Sequence, residues 1–232
     1  MSSEPGRIDP ERSEQRDLAV GDTIVRYTAT DRTNHWIVAI AFVLAALSGL
    51  SMFHPALFWL SNLFGGGPWT RILHPFIALV MVIAFASWAA RVGSDNRMTA
   101  TDWRWLARWR DVVGNHEERL PEVGRYNGGQ KVLFALLIVC LAGLLLSGCV
   151  IWRAYFAAYF PIPIIRAAAL VHAVCAFALV TLIIVHIYAG IWVKGSVRAM
   201  TRGTVTSGWA WKHHRAWFRE VTGAARSRPG AD

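Results

Sequence analysis

The sequence predicts an all-α membrane protein, a bundle of four transmembrane helices. Three observations predict it. Hydrophobic residues make up 54% of the 232 residues and charged ones only 17%, with a mean hydropathy of +0.34. The apolar residues gather into four runs, each near or above the ~20 residues that a helix needs to cross hydrocarbon. The chain also holds 12 tryptophans, whose amphipathic rings suit the membrane–water interface.

The elements follow in order. Residues 1–32 are charged, contain proline and glycine and show little periodicity, so they read as a tail, disordered in part. No short apolar region with a cleavage site follows, so no secretory signal is expected. The first span runs from about His35 to Phe53. "HPALFWLSNLFGGGPWT" (54–70) reads as a short loop with interfacial aromatics and a glycine turn. The second span is about Ile72 to Ala90. A mixed-charge segment follows from Arg91 to Gln130, and its "WRWLARWR" (103–110) reads as an amphipathic helix on the membrane surface. The third span is about Val132 to Trp152. "RAYFAAYFPIPI" (153–164) is a short aromatic loop whose two prolines signal a helix start. The fourth span, about Ile164 to Val193, exceeds the bilayer and so tilts or projects. Lys194 to Asp232 is basic. As domains, these are a tail (1–32), a four-helix membrane domain (33–196) and a basic C-terminal tail (197–232). No internal repeat is evident.

Charge gives the orientation. The net charge is +9. The N-terminal tail holds five Lys and Arg, the central loop eight and the C-terminal tail eight, while the two opposite loops hold only Arg71, Arg153 and Arg166. By the positive-inside rule the tails and the central loop are cytoplasmic, so the protein is expected in a bacterial inner membrane. Nucleic-acid binding would want these charges on one exposed face and is excluded as a function class. Cys140, Cys149 and Cys175 lie in spans without CxxC spacing, so they read as packing residues.

Histidines inside spans need a reason, because ionisable side chains are expensive in hydrocarbon. "RILHPF" (71–76) opens the second span with His74. "LVHAVCAFALVTLIIVHIY" (170–188) carries His172 and His186 on one helix. Their spacing of 14 residues is almost four turns, so both leave the same face, ~21 Å apart along the axis. His35 opens the first span at the depth of His186, and His74 opens the second at the depth of His172. Two pairs result, an inner one (His35, His186) and an outer one (His74, His172). Ala39, Phe42, Ala46 and Gly49 share the face of His35, and all but Phe42 are small; these, and Gly143, Ser147 and Gly148 on the third span, leave room for a flat group or for close helix packing. Two neutral imidazoles facing each other suit axial ligation of haem iron. Zinc would want further ligands, and covalent haem would want CxxCH. Hydrogen-bonded structural histidines are the competing reading, as in a haem-free anchor or transporter, although the spans lack the interrupted helices of transporters. His54 reads as interfacial, His116 as a loop residue, and His213 and His214 as solvated or touching lipid headgroups.

Six further stretches carry a resemblance: "RTNHW" (32–36), "ALSGLSMF" (46–53), "GRYNGGQK" (124–131), "IWRAYFAAYFP" (151–161), "HIYAGIWVKGS" (186–196) and "WKHHRAWFRE" (211–220). With "RILHPF" they resemble the gamma subunits, cytochromes b556, of respiratory formate dehydrogenases, from about Tyr27 to Glu220. The resemblance implies a four-helix bundle with two b haems, the outer on His74 and His172 and the inner on His35 and His186. It implies electron transfer from a periplasmic iron–sulfur (beta) subunit, fed by a formate-oxidising (alpha) subunit, to menaquinone or ubiquinone near the cytoplasmic face. The quinone site would use Asn127, Gly129, Gln130 and His186. The chain would not itself touch formate. A hydrogenase or another periplasmic oxidoreductase is the alternative partner. Residues 1–25 are longer and more charged than the family pattern. His54 stands where that pattern has an apolar residue, and it is not taken as a ligand.

Overall fold

The computed structural model describes residues 23–223, so the expectations for residues 1–22 and 224–232 lie outside the described residues. In chain order the elements are β1 (Thr23–Val25), α1 (Ala29–Phe53), α2 (Gly67–Val92), α3 (Ala100–Ala107), α4 (Trp109–Val113), α5 (Gly128–Ile151), α6 (Ile162–Trp192), α7 (Ser196–Arg202), β2 (Thr204–Thr206), α8 (Ser207–His213) and α9 (Arg215–Thr222). The described residues form two compact bodies, one of residues 29–94 and 132–193, the other of residues 23–28, 95–131 and 194–223.

The first body contains the four helices long and apolar enough to cross a membrane, α1, α2, α5 and α6. A chain in hydrocarbon must satisfy every backbone group internally, and a helix does so within one segment. These helices are apolar all round. Val139, Leu146, Phe177 and Ile191 point outward, as a lipid-facing surface requires. Inside, all four meet in one core of Ala41, Met81, Phe85, Cys140, Leu141 and Leu179. Cys140 is thus a packing residue, and all three thiols are free.

Residues 54–70 differ from the expected loop, because Pro55–Phe64 is a 3-10 helix. The reason is local. The Ala56 N–H donates to His54 Nδ1 at 3.2 Å, so the interfacial His54 caps the helix. Proline stands at its start, and Gly65 and Gly66, with φ of 86° and 93°, end it in a conformation that side chains resist. Pro75 sits inside α2 and leaves the Arg71 carbonyl without its helical donor.

The second body was hidden in what reads as tails. β1 and β2 pair antiparallel, Thr23 with Thr206, Ile24 with Val205 and Val25 with Thr204. Residues before the first span therefore bond to residues after the fourth. The central segment joins them. Arg26 Nη2 donates to the Arg125 carbonyl at 2.7 Å, and Arg125 Nη2 donates to the Arg26 carbonyl at 3.0 Å. Val205, Ala210, Trp211, Trp217 and Phe218 are buried. The expected basic tail is therefore helical through Thr222.

"WRWLARWR" is helical as expected, broken at Arg108 between α3 and α4. Thr99 and Asp102 form a capping box that starts α3. Its buried side presses on the first turn of α5. A Cβ on Gly128 would lie 2.7 Å from the Asp102 carbonyl oxygen, and one on Gly129 would lie 3.2 Å from the Trp105 ring. Lys131 closes the contact with a buried ion pair to Asp102 at 2.8 Å. Burial pushes the Asp102 carboxyl up, but the bonds from Lys131 and Thr99 win and hold it below its ordinary value.

Candidate functional site

The four expected histidines come together as two pairs in the four-helix body. The ring centres of His74 and His172 are 6.3 Å apart, with planes at 68°. Those of His35 and His186 are also 6.3 Å apart, with planes at 51°. Leu179, buried in the core, lies between the two levels on α6.

Hydrogen bonds decide which nitrogen the first pair presents. Ser48 Oγ has one proton and donates it along its own helix, to the Leu44 carbonyl at 2.8 Å or the Ala45 carbonyl at 3.0 Å. Its remaining contact is with His74 Nδ1 at 2.9 Å. With the serine proton given to its own helix, the hydroxyl accepts from His74 Nδ1, and the ring's lone pair is then on Nε2. Ser147 repeats this arrangement. It donates to the Gly143 carbonyl at 2.6 Å and accepts from His172 Nδ1 at 3.0 Å. The next residue in each case is glycine, and the ring uses the space: Gly49 faces His74 Cε1 and Gly148 faces His172 Cε1. Gly143 makes room for Cys175. The space beside Gly49, Gly143 and Gly148 is therefore occupied by neighbouring side chains.

The second pair is held differently. His35 Nδ1 is buried without a hydrogen-bond partner. The ring stands edge-on to Trp36 at 5.6 Å. The preceding Asn34 donates to the Ala84 carbonyl at 2.9 Å and fixes α1 against α2.

These contacts expose an internal correspondence that sequence similarity conceals. The chain step from Ser48 to Ser147 also carries His35 to Phe134. The step from His74 to His172 also carries Trp88 to His186. Phe134 and Trp88 pack together at 5.9 Å. An aromatic pair thus occupies the position that corresponds to the His35–His186 pair.

The residues fit a haem. An imidazole nitrogen lies ~2 Å from a transition metal, so two rings opposed on one metal have centres about 6 Å apart, once about an ångström from nitrogen to ring centre is added on each side. Both pairs have that separation. Among the described residues no third His, Cys, Asp or Glu joins either pair. A metal held there must bring its other ligands, as porphyrin iron does.

The remaining expected residues lie in the second body. Asn127 and Gln130 cap α5 reciprocally. The Gln130 N–H donates to Asn127 Oδ1, and the Asn127 N–H donates to Gln130 Oε1, both at 3.0 Å. Gly129 lies under the Trp105 ring. The turn therefore has structural work of its own, while both amide NH2 groups remain donors.

His213 and His214 correct the expectation of solvated residues. His213 Nδ1 meets Glu117 at 2.6 Å. His214 is only 2% exposed. It donates from Nδ1 to the Gly124 carbonyl at 2.8 Å and accepts from Arg26 Nη2 at 3.2 Å. Burial, then the charge of Arg26, pushes its imidazole down to about 3. Arg26 is itself buried, with its guanidinium over the rings of Trp209 and Trp217. Neighbours far apart in sequence make this site, so local pattern could not reveal it.

Four spanning helices that oppose histidines in pairs define an integral-membrane cytochrome of the b type. The sequence model of the family described as prokaryotic cytochrome b561 matches residues 26–203, and the chain belongs to that family. It is 48% identical over 200 residues to the formate dehydrogenase cytochrome b556(fdo) subunit of Escherichia coli strain K12, covering 86% of this chain and 94% of that one. It is 41% identical over 198 residues to the nitrate-inducible formate dehydrogenase cytochrome b556(Fdn) subunit of the same organism, covering 85% and 91%. The formate dehydrogenase cytochrome b556 subunit of Haemophilus influenzae is 39% identical over 197 residues, covering 85% and 83%. The resemblance read from the sequence holds.

Proposed function

We propose that this cytochrome is the dihaem membrane subunit of a respiratory formate dehydrogenase. It takes electrons from a periplasmic iron–sulfur partner and reduces quinone on the cytoplasmic side of the inner membrane. The observation that carries the reading is the two histidine pairs, equal in ring separation at 6.3 Å and set at two depths of one bundle. The names of the relatives support formate dehydrogenase as the assembly.

When bound, each haem would supply a one-electron centre whose potential depends on its axial ligands and their hydrogen bonds. His74 and His172 would hold one, His35 and His186 the other. Ser48 and Ser147 keep the proton on Nδ1 and so leave Nε2 free to ligate. The apolar core excludes water around both levels. The Asn127 and Gln130 amides offer N–H donors to a quinone carbonyl, and Gly129 keeps the turn low. The basic tails and loop support the cytoplasmic assignment. Electrons moving inward then oppose an outside-positive potential, at ~2.3 kcal/mol per charge per 100 mV for a full crossing. Formate oxidation in the partner would supply that energy.

The test is haem content and the dithionite-reduced absorption spectrum of the detergent-purified protein, followed by the metal in the co-purified complex. Two b-type haems per chain, with a molybdenum- or tungsten-containing subunit, is the expected result. One haem or none overturns the dihaem reading. A nickel-containing partner overturns the formate reading and points to a hydrogenase.

A further inference from the structure

A cavity of ≈ 420 Å³ opens beside α3 and α4, lined by Arg104, Ala107, Arg108, Arg119, Leu120 and Pro121. Three of the six are arginines and none is acidic. Among the described residues Arg104 and Arg108 form no ion pair. Arg104 Nη2 donates to Thr101 Oγ1 at 3.1 Å, and Arg108 Nη1 donates to the Arg119 carbonyl. Arg119 reaches Asp111 and Glu118 only at 3.9 Å. Each guanidinium is thus steadied along one edge, with further N–H groups left for an anion.

The surroundings say which kind of anion. Trp103 is 61% exposed, Trp109 59% and Val113 67%. A helix face that interleaves tryptophan and arginine in a membrane protein belongs at the headgroup level. α3 is also tied to the start of a spanning helix, through the approach of Asp102 and Trp105 to Gly128 and Gly129 and through Lys131. The cavity is therefore lined by the same helix that packs on the first turn of α5.

We propose that this cavity binds the phosphodiester headgroup of an anionic phospholipid from the leaflet on the side of the chain's tails. Arg104 and Arg108 hold the phosphate, since guanidinium pairs with phosphate through parallel N–H bonds. Trp103 and Trp109 lie against the interfacial part of the lipid. The site is independent of haem and of the partner's substrate.

Native mass spectrometry of the full-length detergent-purified protein tests it, with added dioleoyl phosphatidylglycerol, dioleoyl phosphatidylcholine or inorganic phosphate as probe. Arg104→Gln and Arg108→Gln are compared singly and together, with haem content and helical circular dichroism checking that each variant folds. The wild type should bind phosphatidylglycerol well above phosphatidylcholine. Affinity should fall about fivefold per arginine removed, with phosphatidylcholine binding unchanged. Trp103→Ala keeps the charges and should also weaken phosphatidylglycerol binding. Equal binding of the two lipids, or an Arg104→Gln/Arg108→Gln variant that binds phosphatidylglycerol like the wild type, overturns the proposal. Displacement of phosphatidylglycerol by millimolar inorganic phosphate also overturns it, because the ligand would then be the free anion.

Discussion

The His74–His172 pair and the His35–His186 pair share one ring separation and differ in what fixes them. In the first, each Nδ1 is bonded to a serine on the preceding spanning helix, which leaves Nε2 of both rings clear of that bond. In the second, His35 Nδ1 is buried with no partner, an omission that costs about 1–3 kcal/mol for a polar group. His74 and His172 occupy matching places in the two halves of the bundle, and so do the serines that hold them. His35 and His186 match Phe134 and Trp88 instead, and no serine is bonded to His35 Nδ1. One histidine level is therefore fixed by hydrogen bonds to both rings, and the other leaves His35 Nδ1 without one.

The largest effect expected comes from removing a ligand. His186→Ala should lower haem from two to one per chain and abolish quinone reduction. His172→Ala should remove the other haem. The absorption spectra of the two variants should sum to that of the wild type. Retention of both haems in either variant would break the pairing itself. Next come the serines. Ser48→Ala and Ser147→Ala each delete a bond to a ligating ring, a change that typically costs 10–100-fold in metal affinity. Haem retention on dilution should fall at the His74–His172 level and stay constant at the other. An equal fall at both levels would erase the contrast between them.

Much of this was legible in the sequence, for reasons that also explain the rest. The spans were visible because hydrocarbon admits few alternatives to a long apolar helix. The pairing of histidines followed from helical pitch and chain direction alone. The roles of Ser48 and Ser147 were only half legible, because small residues in a span signal space as readily as a hydrogen bond. The second body was not legible. Its strand pair joins Thr23 to Thr206, and its buried Arg26 meets Arg125, Gly203 and His214 through separate stretches of chain. Each stretch alone carries charges and looks like a tail.

His214 sharpens the comparison as a histidine that cannot ligate. Both of its nitrogens are occupied, by the Gly124 carbonyl and by Arg26. Its imidazole is held at about 3, from an ordinary value of 6.5, first by burial and then by the charge of Arg26. A folded-state value below the unfolded one means that the unfolded chain takes up the proton first. The stability of the second body should therefore be full above about pH 6.5 and fall as the pH drops toward 3. The slope is at most about 1.4 kcal/mol per pH unit for one proton. Thermal unfolding followed by tryptophan fluorescence between pH 7.5 and 5 should show the slope, and His214→Gln should flatten it. Haem absorbance should not follow it, since the paired histidines belong to the other body.

The smallest effect separates the two halves of the preorganised level itself. A Cβ on Gly49 would meet His74 Cε1 at 3.2 Å, whereas one on Gly148 would meet His172 Cε1 at 3.4 Å. The second distance is ordinary contact and the first is not, so Gly49→Ala must push the His74 ring by a few tenths of an ångström. Overpacking of this kind costs about 1 kcal/mol at its lower end. Gly49→Ala should therefore weaken haem retention at the His74–His172 level by about fivefold, and Gly148→Ala by less. The ordering carries more information than either value. Equal losses would mean that the two halves are interchangeable around this pair. A larger loss in Gly148→Ala would mean that His172, and not His74, is the ring with less freedom to move.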